Sequence, residues 1–254
     1  MEKVIYEQPL NERIRTFLRL ELLFDQFHFH LKGESPFHSR CAVDQLHDIM
    51  NIFNRSELKS EVMKELDRHN LVLTRLDQSP GVDHDRLNKV LSKIEPLLDR
   101  LKNNSGPIGG ALRRDDFLNT IRQRSSIPGG DCAFDLPQFH YWLNRPAAER
   151  QKQLTQWLSS FETVHQAVAL ILELVRESAR PTQVVAEEGF YKRSLDPSVP
   201  CQMIRVGLPE GCKYFPEISA GKHRFSVRFL DTDNDSRPQQ CKINVEFELT
   251  FCVI

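Results

Sequence analysis

The stretch RQRSSIPGGDCAFDLPQFHYWL, residues 122–143, carries the residue types most able to do chemistry. Arg122 and Arg124 lead into Pro128, Gly129 and Gly130, followed by the thiol of Cys132 and the imidazole of His140 among aromatics. Three chemistries compete: a phosphate cradle, a cysteine nucleophile with a histidine base, and a shaped surface for an acidic partner. A phosphate loop follows a strand, opens a helix and carries a lysine. Here a helical pattern precedes the glycines, no Gly-Lys-Ser/Thr follows, and Asp131 would repel phosphate. Pro128, Gly129 and Gly130 therefore read as a tight connection that needs special backbone angles. A nucleophilic cysteine needs a base and an oxyanion site. The neighbouring Asp131 disfavours the thiolate, so Cys132, leading into Phe134, reads as a structural thiol dropping into a core. His140, flanked by Phe139, Tyr141 and Trp142, reads as a packed or surface histidine, with a ligand contact as the alternative.

No His, Asp or Glu set has metal-ligand spacing. His28 and His30 are too close to share one helical face, and His38, His47 and His69 read as surface or cap residues. No metal and no cofactor is expected. The six cysteines contain no C-x-x-C pair and read as reduced thiols, mostly in the core.

The arginines say more. Arg15 and Arg19 stand at i and i+4 on an amphipathic segment, on the side away from most of its apolar stripe; like charges there cost a few tenths of a kcal/mol, about 0.2–0.5. In KHRFSVRFL, Phe225, Val227 and Phe229 alternate with Arg224, Ser226 and Arg228, placing two guanidinium groups on one strand face. Arg55, Arg113, Arg122 and Arg124 could extend this into an anion-binding groove, although Asp115 and Asp116 lie beside Arg113. The plain alternative is a solvated face balanced by Glu246 and Glu248 across the sheet.

The whole chain sets bounds on these options. It has 254 residues, 27% charged and 40% hydrophobic, enough for one large domain or two smaller ones. Its formal net charge of -1 argues against a broad nucleic-acid footprint. The charged opening MEKVIYEQPLNER implies no export, and AVALILELV is too short to span a bilayer. Helical periodicity predicts helices from Asn11 as N-cap, over about 41–54, from about Ser56, after SPGVD, over 112–124 and 137–144, and over about 147–178. Pro96 should kink or break the fourth of these. The last is apolar on more than one side, as a core helix or a dimer face would be. After Pro181 the period changes to two, predicting strands. The expected fold is α+β: a mainly helical domain over 1–180 and an antiparallel β domain over 181–254, with the strand at residues 3–7 joining the sheet.

Several blocks are unusual enough to compare: PLNERIRTFLRLE, ELKSEVMKELDR, RQRSSIPGGDCAFDLPQFHYWL, GFY and YFPEISAGKHRFSVRF. Together they resemble the ZapD family of bacterial Z-ring-associated proteins, in order along nearly the whole chain. The resemblance implies a cytoplasmic, non-enzymatic homodimer acting at the mid-cell division site. It implies a partner, the acidic and apolar C-terminal tail of the tubulin-like GTPase FtsZ, and bundling of FtsZ filaments. By matching position it implies partner-binding roles for Arg15, Arg19, Arg55, Arg224 and Arg228, then His140, and more weakly Arg113, Arg122 and Arg124. No nucleic acid and no membrane is expected as partner. Two alternatives of other classes are a nucleic-acid module using the same arginines and a thiol hydrolase built on Cys132 and His140.

Overall fold

The change of apolar period near Pro181 is the change from helices to strands in the computed structural model, which describes residues 2–54, 57–76, 82–104, 106–196, 198–221, 223–231 and 237–253. Strand β1 (Lys3–Pro9) leads into α1 (Glu12–Leu31), α2 (Pro36–Ile52), α3 (Leu58–Leu76), α4 (His84–Asn103), α5 (Asp116–Ser125), α6 (Pro137–Leu143), α7 (Ala147–Leu158) and α8 (Glu162–Glu177). Strands β2 (Thr182–Ala186), β3 (Phe190–Ser194), β4 (Cys201–Pro209), β5 (Tyr214–Ala220), β6 (Arg224–Asp231), β7 (Gln239–Gln240) and β8 (Val245–Val253) follow. The described chain divides into two compact units, residues 16–171 and residues 1–15 with 172–254.

In the helical unit, most apolar positions at helical spacing are buried, although Leu76 at the end of α3 is exposed. Ile49, Val43 and Leu46 of α2, Leu58, Val62 and Leu66 of α3, and Ile94, Leu98 and Leu101 of α4 are all fully or nearly fully buried. Helix α2 starts earlier than its apolar pattern suggests. Ser35 accepts a bond from the His38 backbone N–H at 3.2 Å, and Pro36 occupies the first turn, where its missing donor costs nothing. Helix α4 runs on through Pro96 to Asn103, so of the expected kink or break the break does not occur. The long helix expected over 147–178 is interrupted at a 3₁₀ turn, Ser159–Phe161. There the Ser159 hydroxyl donates to Gln156 O at 2.7 Å, a side-chain bond that competes with the regular ladder. By length and composition Ala147–Glu177 could cross a membrane, but 56% of its most apolar window is buried within the fold, and packing accounts for its apolar character.

A buried cation ties the helical unit together. Arg150 of α7 is 4% exposed. It donates from Nε to Ser39 Oγ at 2.9 Å, from Nη1 to Leu143 O at 2.8 Å, and also to Arg145 O and Glu34 O. Its charge is thus spread over oxygens at the start of α2 and the end of α6. Beside it Phe117, Phe139, Trp142 and Trp157 form an aromatic cluster with centroids 5.8–6.1 Å apart. His47 and His69 are buried and not surface residues: His47 Nε2 lies 3.0 Å from Leu118 O, and His69 Nε2 lies 3.5 Å from the fully buried Glu65. Burial holds the His47 imidazole below its ordinary pKa, with the Arg122 charge adding to it and the Leu118 carbonyl opposing. His38 is a cap residue, its Nδ1 2.8 Å from Ser35 Oγ.

The β unit is a sandwich of two antiparallel sheets, ordered β1-β4-β8-β2 and β3-β6-β5, with β7 pairing β6. The first strand joins the sheet, as expected, along β4 from Lys3↔Pro209 to Pro9↔Met203. One core lies between the sheets, built from Ile204, Val206, Leu208, Phe225, Val227, Phe229, Val245, Phe247 and Leu249. On the other face of the first sheet, Glu7 takes bonds from Arg176 at 2.8 Å and Arg205 at 2.9 Å.

Candidate anion-binding face

Strand β6 buries Phe225, Val227 and Phe229, so its alternation turns Arg224, Ser226 and Arg228 outward. Pairing with β3 and β5 builds this face in three levels. Arg228 stands between Glu217 on β5 and Phe190 on β3; Ser226 stands between Ser219 and Lys192; Arg224 pairs Ser194, and its carbonyl accepts the Gly221 N–H at 2.9 Å. Successive levels lie roughly 6.6 Å apart along the strand, so the two guanidinium groups are rooted about 13 Å apart, with the Lys192 ammonium between them on the next strand. Arg228 approaches Glu217 at 3.8 Å, with both side chains half-exposed. Among the described residues Arg224 and Lys192 make no ion pair.

Glu246 and Glu248, expected as the acidic neighbours of these arginines, lie on β8 in the other sheet, where Glu248 takes bonds from Lys3 at 2.6 Å and Gln183 at 3.0 Å. The acid that does face Arg228 is Glu217. Strand β6 pairs the preceding strand β5, which brings Glu217 beside Arg228, and takes β3 on its other side; it does not pair β8.

A tight turn fixes Phe190. Glu188 (φ 46) and Gly189 (φ 72) are both left-handed, as the two central residues of a primed hairpin turn must be. The Glu188 N–H donates to Asn244 Oδ1 at 3.1 Å, and Gln240 donates to Glu188 O at 3.0 Å. A Cβ on Gly189 would meet Cys241 O at 2.6 Å, so only glycine fits. Phe190 therefore opens β3 with its ring on the outer face, 37% exposed. It borders an open depression of about 1040 Å³ beside Arg228 and a smaller one of about 420 Å³ beside Arg224. Phe190 and Lys192 were not singled out from sequence. The adjacent aromatics Phe190 and Tyr191 hide the alternation, although GFYKRS is a strand of the right length.

The other arginines fall in separate neighbourhoods. Arg15, on the first turn of α1, faces Glu12 at 3.3 Å. Arg19, one turn on and exposed, lines a 410 Å³ groove with Leu22, Leu23, Asp48 and Ile52. Arg55 lies outside the described residues. Arg113 points inward and donates to Phe53 O at the end of α2, where a cation complements the exposed carbonyls. Arg122 ends α5 near His47, and Arg124 lies 4.0 Å from Asp135. His140 is exposed, its Nε2 3.3 Å from Asn144 Nδ2.

The loop at 127–131 is a tight connection, as its glycines suggest. Gly129 has φ 72, and a Cβ on Gly130 would meet Arg124 O at 2.4 Å. Arg40, unremarked in the sequence, braces it by pairing with Asp131 while its guanidinium sits 5.1 Å over the Phe139 ring. Cys132 is exposed, and Phe134 is 84% exposed, so neither drops into the core. Successive turns here, with the Gly130 N–H donating to Ile127 O at 2.8 Å and the Asp135 N–H to Cys132 O at 3.0 Å, keep the backbone at the surface, and a local apolar neighbour was a poor guide to burial.

The described residues hold no group of three potential metal ligands. The family model of ZapD, a cell division protein, matches residues 18–228. The chain belongs to the ZapD family. It is 40% identical over 252 residues to the cell division protein ZapD of Methylococcus capsulatus, covering 99% of both chains. It is 38% identical over 250 residues to that of Ralstonia pickettii (98% of this chain, 99% of the other), and 37% over 251 residues to that of Azoarcus sp. (99% and 100%). The ZapD match contains Arg224 and Arg228 as well as the loop at 127–131. A role in cell division follows from this membership.

Proposed function

We propose that this ZapD-family chain is a non-enzymatic division factor that docks the acidic and apolar C-terminal tail of FtsZ on the outer face of β3, β6 and β5. As a homodimer in the cytoplasm at mid-cell, it crosslinks FtsZ filaments and supports the Z ring. The single observation that carries the reading is the pair Arg224 and Arg228, held outward on one strand with Lys192 beside them and no ion pair on Arg224 or Lys192 among the described residues. Guanidinium groups fork onto carboxylates, and Phe190 offers an apolar surface to the tail's other side chains.

One tail on one face binds weakly, because a flexible peptide loses entropy on docking. Two faces per dimer meeting many tails along a polymer raise the effective affinity by orders of magnitude, and a dimer holding tails from two filaments is a crosslink. The test is co-sedimentation with polymerised FtsZ, intact and lacking its tail, at low and physiological salt. Pelleting and bundling with intact FtsZ only, weakening as salt rises, are expected. Equal pelleting with tail-less filaments would overturn the reading.

A further inference from the structure

The smaller depression on this face has the character of a subsite. Its floor is Ser219, Ala220, Gly221 and Ser226, and its walls are Lys192, Arg224 and Phe190. Small floor residues let a ligand approach the sheet closely, while two long cationic side chains rise on opposite sides. Its volume of about 420 Å³ is at the small end of ligand cavities, which run from about 300 to 1,000 Å³. One level away the balance differs: Glu217 already offers Arg228 a carboxylate at 3.8 Å. Phe190 belongs to both levels, since it is paired with Arg228 and also lines the notch.

We propose that the notch of Lys192, Arg224, Ser219 and Ser226 takes a single carboxylate of an acidic side chain, and that Phe190 takes an apolar side chain two residues along the same extended peptide. This rests on the reading of the face as the tail-binding surface and adds its register. Lys192 and Arg224 neutralise the carboxylate, and the serine hydroxyls donate to its remaining lone pairs. The step from notch to Phe190 is roughly 6.6 Å along the strand, the spacing of alternate side chains in an extended chain. Glu217, on the β5 side, repels a second acid there and turns the peptide towards β3. The occupant is thus a peptide with an acidic and an apolar residue at i and i+2. A polyphosphate chain would set repeated charges against Glu217 and leave Phe190 uncovered.

The experiment is fluorescence anisotropy with a labelled FtsZ tail peptide at low salt, using the full chain. Lys192→Ala should weaken binding about tenfold and flatten its salt dependence, and Lys192→Arg should restore both. Phe190→Ser should weaken binding about threefold to tenfold with the salt dependence unchanged. Circular dichroism and thermal unfolding of each variant verify the fold. If Arg224→Glu with Arg228→Glu abolishes binding while Lys192→Ala and Phe190→Ser bind like the parent chain, the notch is wrong and the face stands. If the double reversal also binds like the parent chain, both are wrong.

Discussion

Glu217 and Arg228 are direct partners across β5 and β6, yet their charged ends stay 3.8 Å apart and both side chains are half-exposed. An ion pair so placed is worth little to stability, at most about 1 kcal/mol. In the proposed docking its consequence is for binding: the carboxylate competes for Arg228 and repels an incoming acid. Glu217→Gln should therefore tighten tail-peptide binding severalfold, most at low salt, with thermal stability nearly unchanged. Anisotropy titrations at two ionic strengths check this.

Reversing both outward arginines of β6 tests the face as a whole. Arg224→Glu with Arg228→Glu should abolish co-sedimentation with FtsZ filaments and leave oligomeric state and helical content as they are. Both residues point away from the core formed by Phe225, Val227 and Phe229, so the sandwich has no reason to loosen. Analytical ultracentrifugation alongside pelleting separates lost docking from lost folding.

The alternation that exposes these arginines was plain in the sequence, as was the joining of the first strand to the sheet. What sequence could not supply was the second neighbour of β6. Strands β5 and β6 are consecutive, so Glu217 was within reach of a hairpin reading; Phe190 became a neighbour of Arg228 only when the pairing of β3 was known, and Glu246 and Glu248 ceased to be. The early start of α2 was legible in Ser35 and Pro36 but was outweighed by an apolar stripe that begins later. Cys132 and Phe134 misled because burial depends on what arrives from elsewhere in the chain. His47 and His69 were misjudged for the same reason: a helical face carrying one imidazole still buries if a carbonyl or carboxylate awaits it.

Glu7 gives the β unit a pH dependence. Burial alone would raise its pKa, but the hydrogen bonds and charges of Arg176 and Arg205 outweigh that and hold it below the ordinary 4.5. A depressed carboxylate stabilises the fold fully above its unfolded pKa and loses that contribution as pH falls through the folded value. Glu7→Gln should cost about 1–3 kcal/mol at pH 7, and the deficit should shrink well below pH 4. Urea titrations at both pH values measure it.

Asp44 acts in the opposite sense. Burial, then the nearby Asp131 and Asp48, push it up to about 6 against the pull of Arg40. The folded chain holds this proton more tightly than the unfolded one, so ionisation costs stability as pH rises from the ordinary 3.8 through 6. Asp44→Asn should stabilise the protein at pH 7.5, by less than about 1 kcal/mol because the side chain reaches solvent, with no gain near pH 3.5.

Arg150→Ala removes a buried cation from four oxygen partners at once. Three backbone carbonyls lose their donor and a cavity opens between α2, α6 and α7. A loss of about 3–5 kcal/mol is expected in denaturant unfolding, with tail-peptide affinity retained under conditions where the variant is folded.

The order β1-β4-β8-β2 seats residues 245–253 between strands made earlier, and residues 3–9 at the rim. During translation, therefore, β4 and β2 wait without their shared neighbour until the ribosome has nearly run through this sequence. Residues 16–171 are complete long before that and can consolidate first. A nascent chain halted before Val245 would display unpaired strand margins, an invitation to mispairing that chaperones must cover.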